Sequence, residues 1–209
     1  MAPLTERTLR AAVRDLTAED PRLAAVVETH GPPPLWARDP GFPTLLLLIL
    51  EQQVSLASAR AAYDRLAARI GAVTPRGVLR STDEELRADG FSRQKTRYAR
   101  RLAGAVEDGS LDLAALADLP DDDVRERLTA LPGIGRWTAD VFLVMALRRP
   151  DAWPAGDLAL QEALRRIEGR DARPGPMETE ALAERWRPHR ATAARILWHL
   201  YLSEPARRR

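Results

Sequence analysis

The sequence predicts an all-α protein, and three observations carry the prediction. Apolar residues recur at helical spacing along most of the chain. No segment of useful length alternates apolar and polar residues with strand-type side chains. Helix start and stop signals, namely capping residues, first-turn prolines and terminal glycines, punctuate the chain at short intervals. With 209 residues, 45% of them hydrophobic, the chain can bury a core as one large domain or two small lobes, and it is not of the disordered class.

The elements follow in order. Residues 7–31 read as an amphipathic helix, a break with Pro21 in a new first turn, and a second helix stopped by Gly31. PPPLWARDPGF is a loop, and Pro43 then opens PTLLLLILEQQ, leucine-rich enough to be a central buried helix. SLASARAAYDRLAARIG is amphipathic and stops at Gly71. TPRGVLRSTDEELRADG holds two short helices, with Ser81, Thr82 and Asp83 as capping types ahead of the second. SRQKTRYARRLAGAVEDG is a basic helix ending before Gly109, and a short helix follows over 112–117. PDDDVRERLTAL begins with three acids, which suit the positive end of a helix dipole. RWTADVFLVMALRR, LALQEALRRIEG, METEALAERWRP and HRATAARILWHLYLSE complete a set of roughly ten short helices, with PDAWPAGD as a loop among them.

Composition excludes several chemistries. The absence of cysteine removes disulfides, thiolate zinc sites, iron–sulfur clusters and a cysteine nucleophile together. The N-terminus has no apolar signal core, and the run Leu45–Leu50 is far too short to span a bilayer, so a cytoplasmic protein without membrane contact is expected. His30, His189 and His199 show no metal-ligand spacing, and no loop cradles the phosphates of a nucleotide cofactor. Net charge is +2 and the pI about 9.5, with Lys95 the only lysine. KTRYARR, residues 95–101, carries four positive charges and no negative one. From Arg185 onward seven arginines face one acid, Glu204. Such patches suit phosphate partners, and solvated helix faces explain them equally well.

The most informative stretch is LTALPGIGRWTADVFLVMAL, residues 128–147. Read as helix, turn, helix, it turns Leu128, Leu131, Ile134, Ala139 and Phe142 inward, with Met145 also in the core. Gly133 and Gly135 then present bare backbone beside a helix N-terminus, where amides attract anions and another backbone can approach closely. A DNA phosphate fits that place; a glycine turn kept only for helix packing is the plainer alternative.

The pattern Leu128, Leu131, Pro132, Gly133, Ile134, Gly135, Ala139 resembles the helix–hairpin–helix motif, and a further segment sharpens the likeness. About twenty residues on, WPAGDLALQEAL places Asp157 at a helix start after a Gly/Pro loop, as in the helix–hairpin–helix DNA glycosylase superfamily. LILEQQVSLASA, GFSRQKTRYARRLA and ERWRPHRATAARILWHLY resemble segments of its alkylbase branch, that of DNA-3-methyladenine glycosylase II. The resemblance covers nearly everything from Pro43 onward. His189 departs from it where a tryptophan is common, and the strand-rich N-terminal domain of some relatives has no counterpart here.

The resemblance implies two helical lobes, residues 43–155 and residues 1–42 with 156–209, with the hairpin and Asp157 at the cleft between them. It implies that Asp157 is the catalytic carboxylate, although an Asp before a helix is by itself usually an N-cap. It puts Gln53 at the position that fills the gap left by a flipped base, and Trp137 and Trp198 at base-pocket positions; tryptophans in a helical protein are otherwise core residues. Gly133, Ile134, Gly135 and Lys95 would hold DNA phosphate, and the carbonyls of Thr129, Leu131 and Gly133 a structural Na+ or K+. For Trp153 and Trp186 pocket and core roles both stay open. The expected activity is excision of 3-methyladenine and 7-methylguanine from damaged double-stranded DNA by a monomer without a required cofactor. Bifunctional relatives carry a lysine just after the hairpin, where Trp137 stands, so no lyase step is expected. Excision of neutral bases such as hypoxanthine or ethenoadenine, a non-catalytic DNA-binding hairpin, and a helical protein-interaction domain are the alternatives.

Overall fold

The computed structural model describes residues 2–204; Arg207, Arg208 and Arg209 of the basic tail lie outside them. All regular structure among the described residues is helical: α1 Glu6–Glu19, α2 Pro21–His30, α3 Phe42–Glu51, α4 Leu56–Ile70, α5 Pro75–Arg80, α6 Asp83–Ala88, α7 Arg93–Glu107, α8 Asp121–Thr129, α9 Arg136–Met145, α10 Leu158–Ile167, α11 Pro176–Ala183 and α12 Arg190–Ser203. The short element expected over 112–117 is a 3-10 turn at Ala115–Asp118, and a second such turn spans Glu184–Trp186. Sequence-local chemistry sets many boundaries. Thr5 and Thr82 form reciprocal capping boxes with Thr8 and Glu85, and Ser55, Thr74 and Ser92 each accept the N–H three residues on.

The chain forms two compact units: Arg38–Phe142, and Met1–Ala37 with Leu143–Arg209. The units divide at 37/38 and 142/143, where the lobes expected from sequence divide at 42/43 and 155/156. The second division falls inside α9 because the chain beyond Leu143 bonds to the terminal segments. Leu4 N–H donates to Arg148 O at 2.7 Å, and Ala191 N–H to Pro150 O at 3.0 Å.

In the unit Arg38–Phe142, α3 is the central element. Leu45, Leu46, Leu48, Ile49 and Leu50 are all buried, and α4 and α7 pack on it, with α5 and α6 on α7. Each such aliphatic side chain contributes about 1.5–3 kcal/mol. In the unit formed by the termini, α12 packs against α1, α2 and α10. Its Arg195 is fully buried and donates to the carbonyls of Leu35, Ala191 and Val144 at 2.8, 2.8 and 2.7 Å. Burial pushes its pKa down to about 10.

Candidate active site and DNA-binding hairpin

The hairpin lies between α8 and α9. Leu128, Ile134, Ala139 and Phe142 are buried, as the spacing predicts, and Leu131 and Met145 are half-buried. Gly133 adopts φ +98°, a conformation that disfavours side chains. A Cβ there would stand 2.2 Å from Tyr98 Cγ, because the Tyr98 ring of α7 lies against this backbone. The Cα face of Gly133 is therefore covered by a neighbouring side chain. At Gly135 an added Cβ would meet nothing within 4 Å, so the openness inferred from sequence applies there. Ile134 N–H is used internally, donating to Leu131 O at 3.1 Å, whereas the N–H groups of Gly133 and Gly135 donate to no described residue. Of the carbonyls assigned to a cation, Leu131 O thus accepts one bond, and Gly133 O accepts another from Gln52 Nε2 at 2.8 Å. A carbonyl has two lone pairs, which leaves each a site for a cation.

Two residues that sequence reading passed over hold this region. Gln52 Nε2 also donates to Thr138 Oγ1 at 3.0 Å, tying the turn after α3 to α9. Asp140, fully buried, accepts from Arg125 of α8 at 2.6 Å and from Arg136 at the start of α9 at 3.0 Å. One carboxylate so clamps both arms of the hairpin. Gln52 lies within LILEQQVSLASA, but its partner is 81 residues away, beyond any local pattern.

After Gln52 the chain turns sharply. Gln53 has φ +57°, an uncommon conformation for a non-glycine residue, and its side chain is exposed beside exposed Val54 and Leu56. Lys95, expected at a phosphate, makes a contact within the fold. Its Nζ donates to Leu50 O at 2.6 Å, capping the end of α3, and burial lowers its pKa. The reason is positional: Lys95 lies in the first turn of α7, which packs on α3.

In the other unit Asp157 is the N-cap of α10. Its Oδ1 accepts Leu160 N–H at 3.0 Å and the indole N–H of Trp198 at 3.1 Å. Asp157 is 9% exposed and Trp198 7%. Trp198, expected as a pocket wall, thus holds the carboxylate through its ring nitrogen. Trp137, the other expected wall, is half-buried in the first turn of α9. Trp153 and Trp186 are core residues, with ring centroids 5.8 Å apart and Trp186 Nε1 donating to Asp20 at 3.0 Å. Among the described residues no group of His, Cys, Asp and Glu is placed to hold a metal ion, and no helix is long and apolar enough to cross a membrane.

A helical chain with a Pro-Gly-Ile-Gly turn joining two helices in one unit, and a helix-capping aspartate in the other, is a helix–hairpin–helix protein. The family is specific: residues 46–188 match the HhH-GPD superfamily base excision DNA repair protein family, and the chain belongs to that superfamily. DNA-3-methyladenine glycosylase 1 of Schizosaccharomyces pombe is 29% identical over 181 residues, covering 85% of this chain and 79% of that protein. The Bacillus subtilis protein YfjP is 27% identical over 184 residues, and the chain spans 64% of its length. Among solved structures, S. pombe 3-methyladenine DNA glycosylase in complex with abasic DNA matches with TM-score 0.83 at 25% identity, covering 92% of this chain and 97% of that one. A DNA-3-methyladenine glycosidase from Bacillus halodurans matches with TM-score 0.73 at 33% identity, covering 90% and 87%.

Proposed function

We propose that this protein is a monofunctional DNA glycosylase that excises alkylated purines of the 3-methyladenine and 7-methylguanine type from duplex DNA. The observation that carries the reading is Asp157, a buried carboxylate oriented by two N–H donors on Oδ1. Relatives whose names give 3-methyladenine as substrate support the substrate class.

The chemistry follows from that carboxylate. A flipped nucleotide leaves a gap in the stack, and Gln53 at its exposed, strained turn fills it. In the hairpin the N–H groups of Gly133 and Gly135, on either side of Ile134, take the phosphate backbone, and the carbonyls of Thr129, Leu131 and Gly133 would hold a monovalent cation. Trp137 and Trp198 offer aromatic faces to a cationic purine. As the C1′–N bond breaks, its electron pair goes to the purine, which leaves neutral because alkylation had made it a cation. Asp157 stabilises the positive charge left on the sugar; water adds its oxygen to C1′ and releases a proton to the carboxylate or to solvent. A base already charged needs no separate acid to leave. A lyase step would need an amine just after the hairpin, where Trp137 stands; Lys95, the only lysine, lies on α7 with its Nζ donating to Leu50 O. The reading describes a cytoplasmic monomer acting on damaged duplex DNA without a required cofactor.

The test is base release from methylated duplex DNA by wild type and Asp157→Asn. Asparagine keeps an oxygen that can receive Trp198 and Leu160, so the cap can survive, while the charge is lost and the other oxygen becomes an N–H donor. Free 3-methyladenine or 7-methylguanine from wild type, with the variant slowed about a hundredfold or more, is expected. Equal release by both would remove the role from Asp157, and binding without release would favour a neutral lesion or a non-catalytic hairpin.

A further inference from the structure

The basic helix α7 carries Arg93, Arg97, Arg100 and Arg101 and no acid before Glu107. Arg93, Arg97 and Arg101 follow one another at four-residue spacing, so they share a face and rise about 6 Å per step. They line, with Arg100, Thr96 and Asp83, a cleft of about 400 Å³. The one acid of that cleft is already committed. Asp83 pairs with Arg100 at 2.8 Å, and Arg100 donates further to the carbonyls of Leu79 and Ser81 at 3.3 and 2.6 Å. Arg93, Arg97 and Arg101 are exposed and have no carboxylate within ion-pair distance among the described residues. Elsewhere in the same unit Arg38, Arg69, Arg76 and Arg125 are each paired to an acid.

Three like charges in a row are mutually repulsive, and an anion relieves that cost. The row is fixed to the hairpin through one neighbour. The Arg97 guanidinium carbon lies 5.5 Å from the centroid of the Tyr98 ring, and that ring packs on Gly133. Guanidinium forks match phosphate oxygens in geometry as well as charge. Three of them over about 12 Å face about three or four phosphates of a strand that rises 3.4 Å per nucleotide. We infer that the Arg93–Arg97–Arg101 face of α7 is a second phosphate-binding surface, which holds the duplex backbone flanking the stretch taken by the hairpin. The inference rests on the DNA-binding reading above and extends it to a surface that contacts no lesion.

The experiment is equilibrium binding of methylated and unmodified duplexes across a salt series, for wild type, Arg93→Gln/Arg101→Gln, and the triple variant that adds Arg97→Gln. The double variant leaves the Arg97–Tyr98 contact in place, and thermal melts check that each protein is folded. The triple variant should bind both duplexes about tenfold or more weakly, with a plot of log affinity against log salt shallower by about 2 to 3. Affinity and slope equal to wild type, while Gly135→Asp at the hairpin weakens binding, overturn the surface and spare the DNA reading. Loss of heparin binding with duplex binding retained also overturns it. A wild type that binds no duplex defeats the DNA reading and this inference together.

Discussion

The indole N–H of Trp198 donates to Oδ1 of Asp157 at 3.1 Å and so joins α12 to the first turn of α10. The same oxygen accepts Leu160 N–H, so the carboxylate that caps a helix is also aimed by a tryptophan. Trp198→Phe keeps an aromatic face and removes the donor. A hydrogen bond to a charged group is worth about 1.5–3 kcal/mol, which in a barrier is about tenfold to a hundredfold. Single-turnover base release should slow by that factor with little change in duplex affinity. An unchanged rate would leave the indole with a packing role alone.

The two hairpin glycines should behave differently. Gly133→Ala forces a side chain into a φ +98° backbone and against the Tyr98 ring, so it should destabilise the fold by about 2 kcal/mol or more. Gly135→Ala meets open space and should leave the melting temperature nearly unchanged while weakening duplex binding. Melts of the two variants side by side check this; equal destabilisation would contradict the packing described.

Asp140 is the hub of the hairpin clamp. Asp140→Asn leaves the half-buried Arg125 guanidinium facing a neutral group, and breaking a buried ion pair costs about 3 to 5 kcal/mol. For a chain of this size the melting temperature should fall by on the order of 10 °C. A drop of only a degree or two would mean that Arg125 finds solvent or Asp122 instead, with which it already pairs at 2.7 Å.

Acid should loosen α10. Hydrogen bonding from Arg165, against the opposing effect of burial, and further bonding from Arg166 hold Glu162 at about 2, below its ordinary value of 4.5. The folded state therefore binds the proton less readily than the unfolded chain. Its contribution to stability is present above pH 4.5 and is lost as pH falls toward 2. Glu162→Gln should flatten that part of the curve of melting temperature against pH, and a curve of unaltered slope would rule out this ion pair as a source of acid lability.

Helices, caps and the hairpin were legible in the residues themselves, because they depend on contacts three or four positions apart. Thr82 before Glu85, Pro21 in a first turn, and the glycines of the turn each act locally. Membership of the HhH-GPD superfamily was legible for a related reason, since its motifs are short runs of fixed spacing. What the tertiary structure alone decided is which side chains the long-range packing brings together. Lys95 caps α3 through Leu50 O, Trp198 donates to Asp157, and Gly133 lies under the Tyr98 ring, and none of these contacts can be read from the sequence. In each case the partner is distant in sequence, and only packing that buries both groups can specify a hydrogen bond or contact between them.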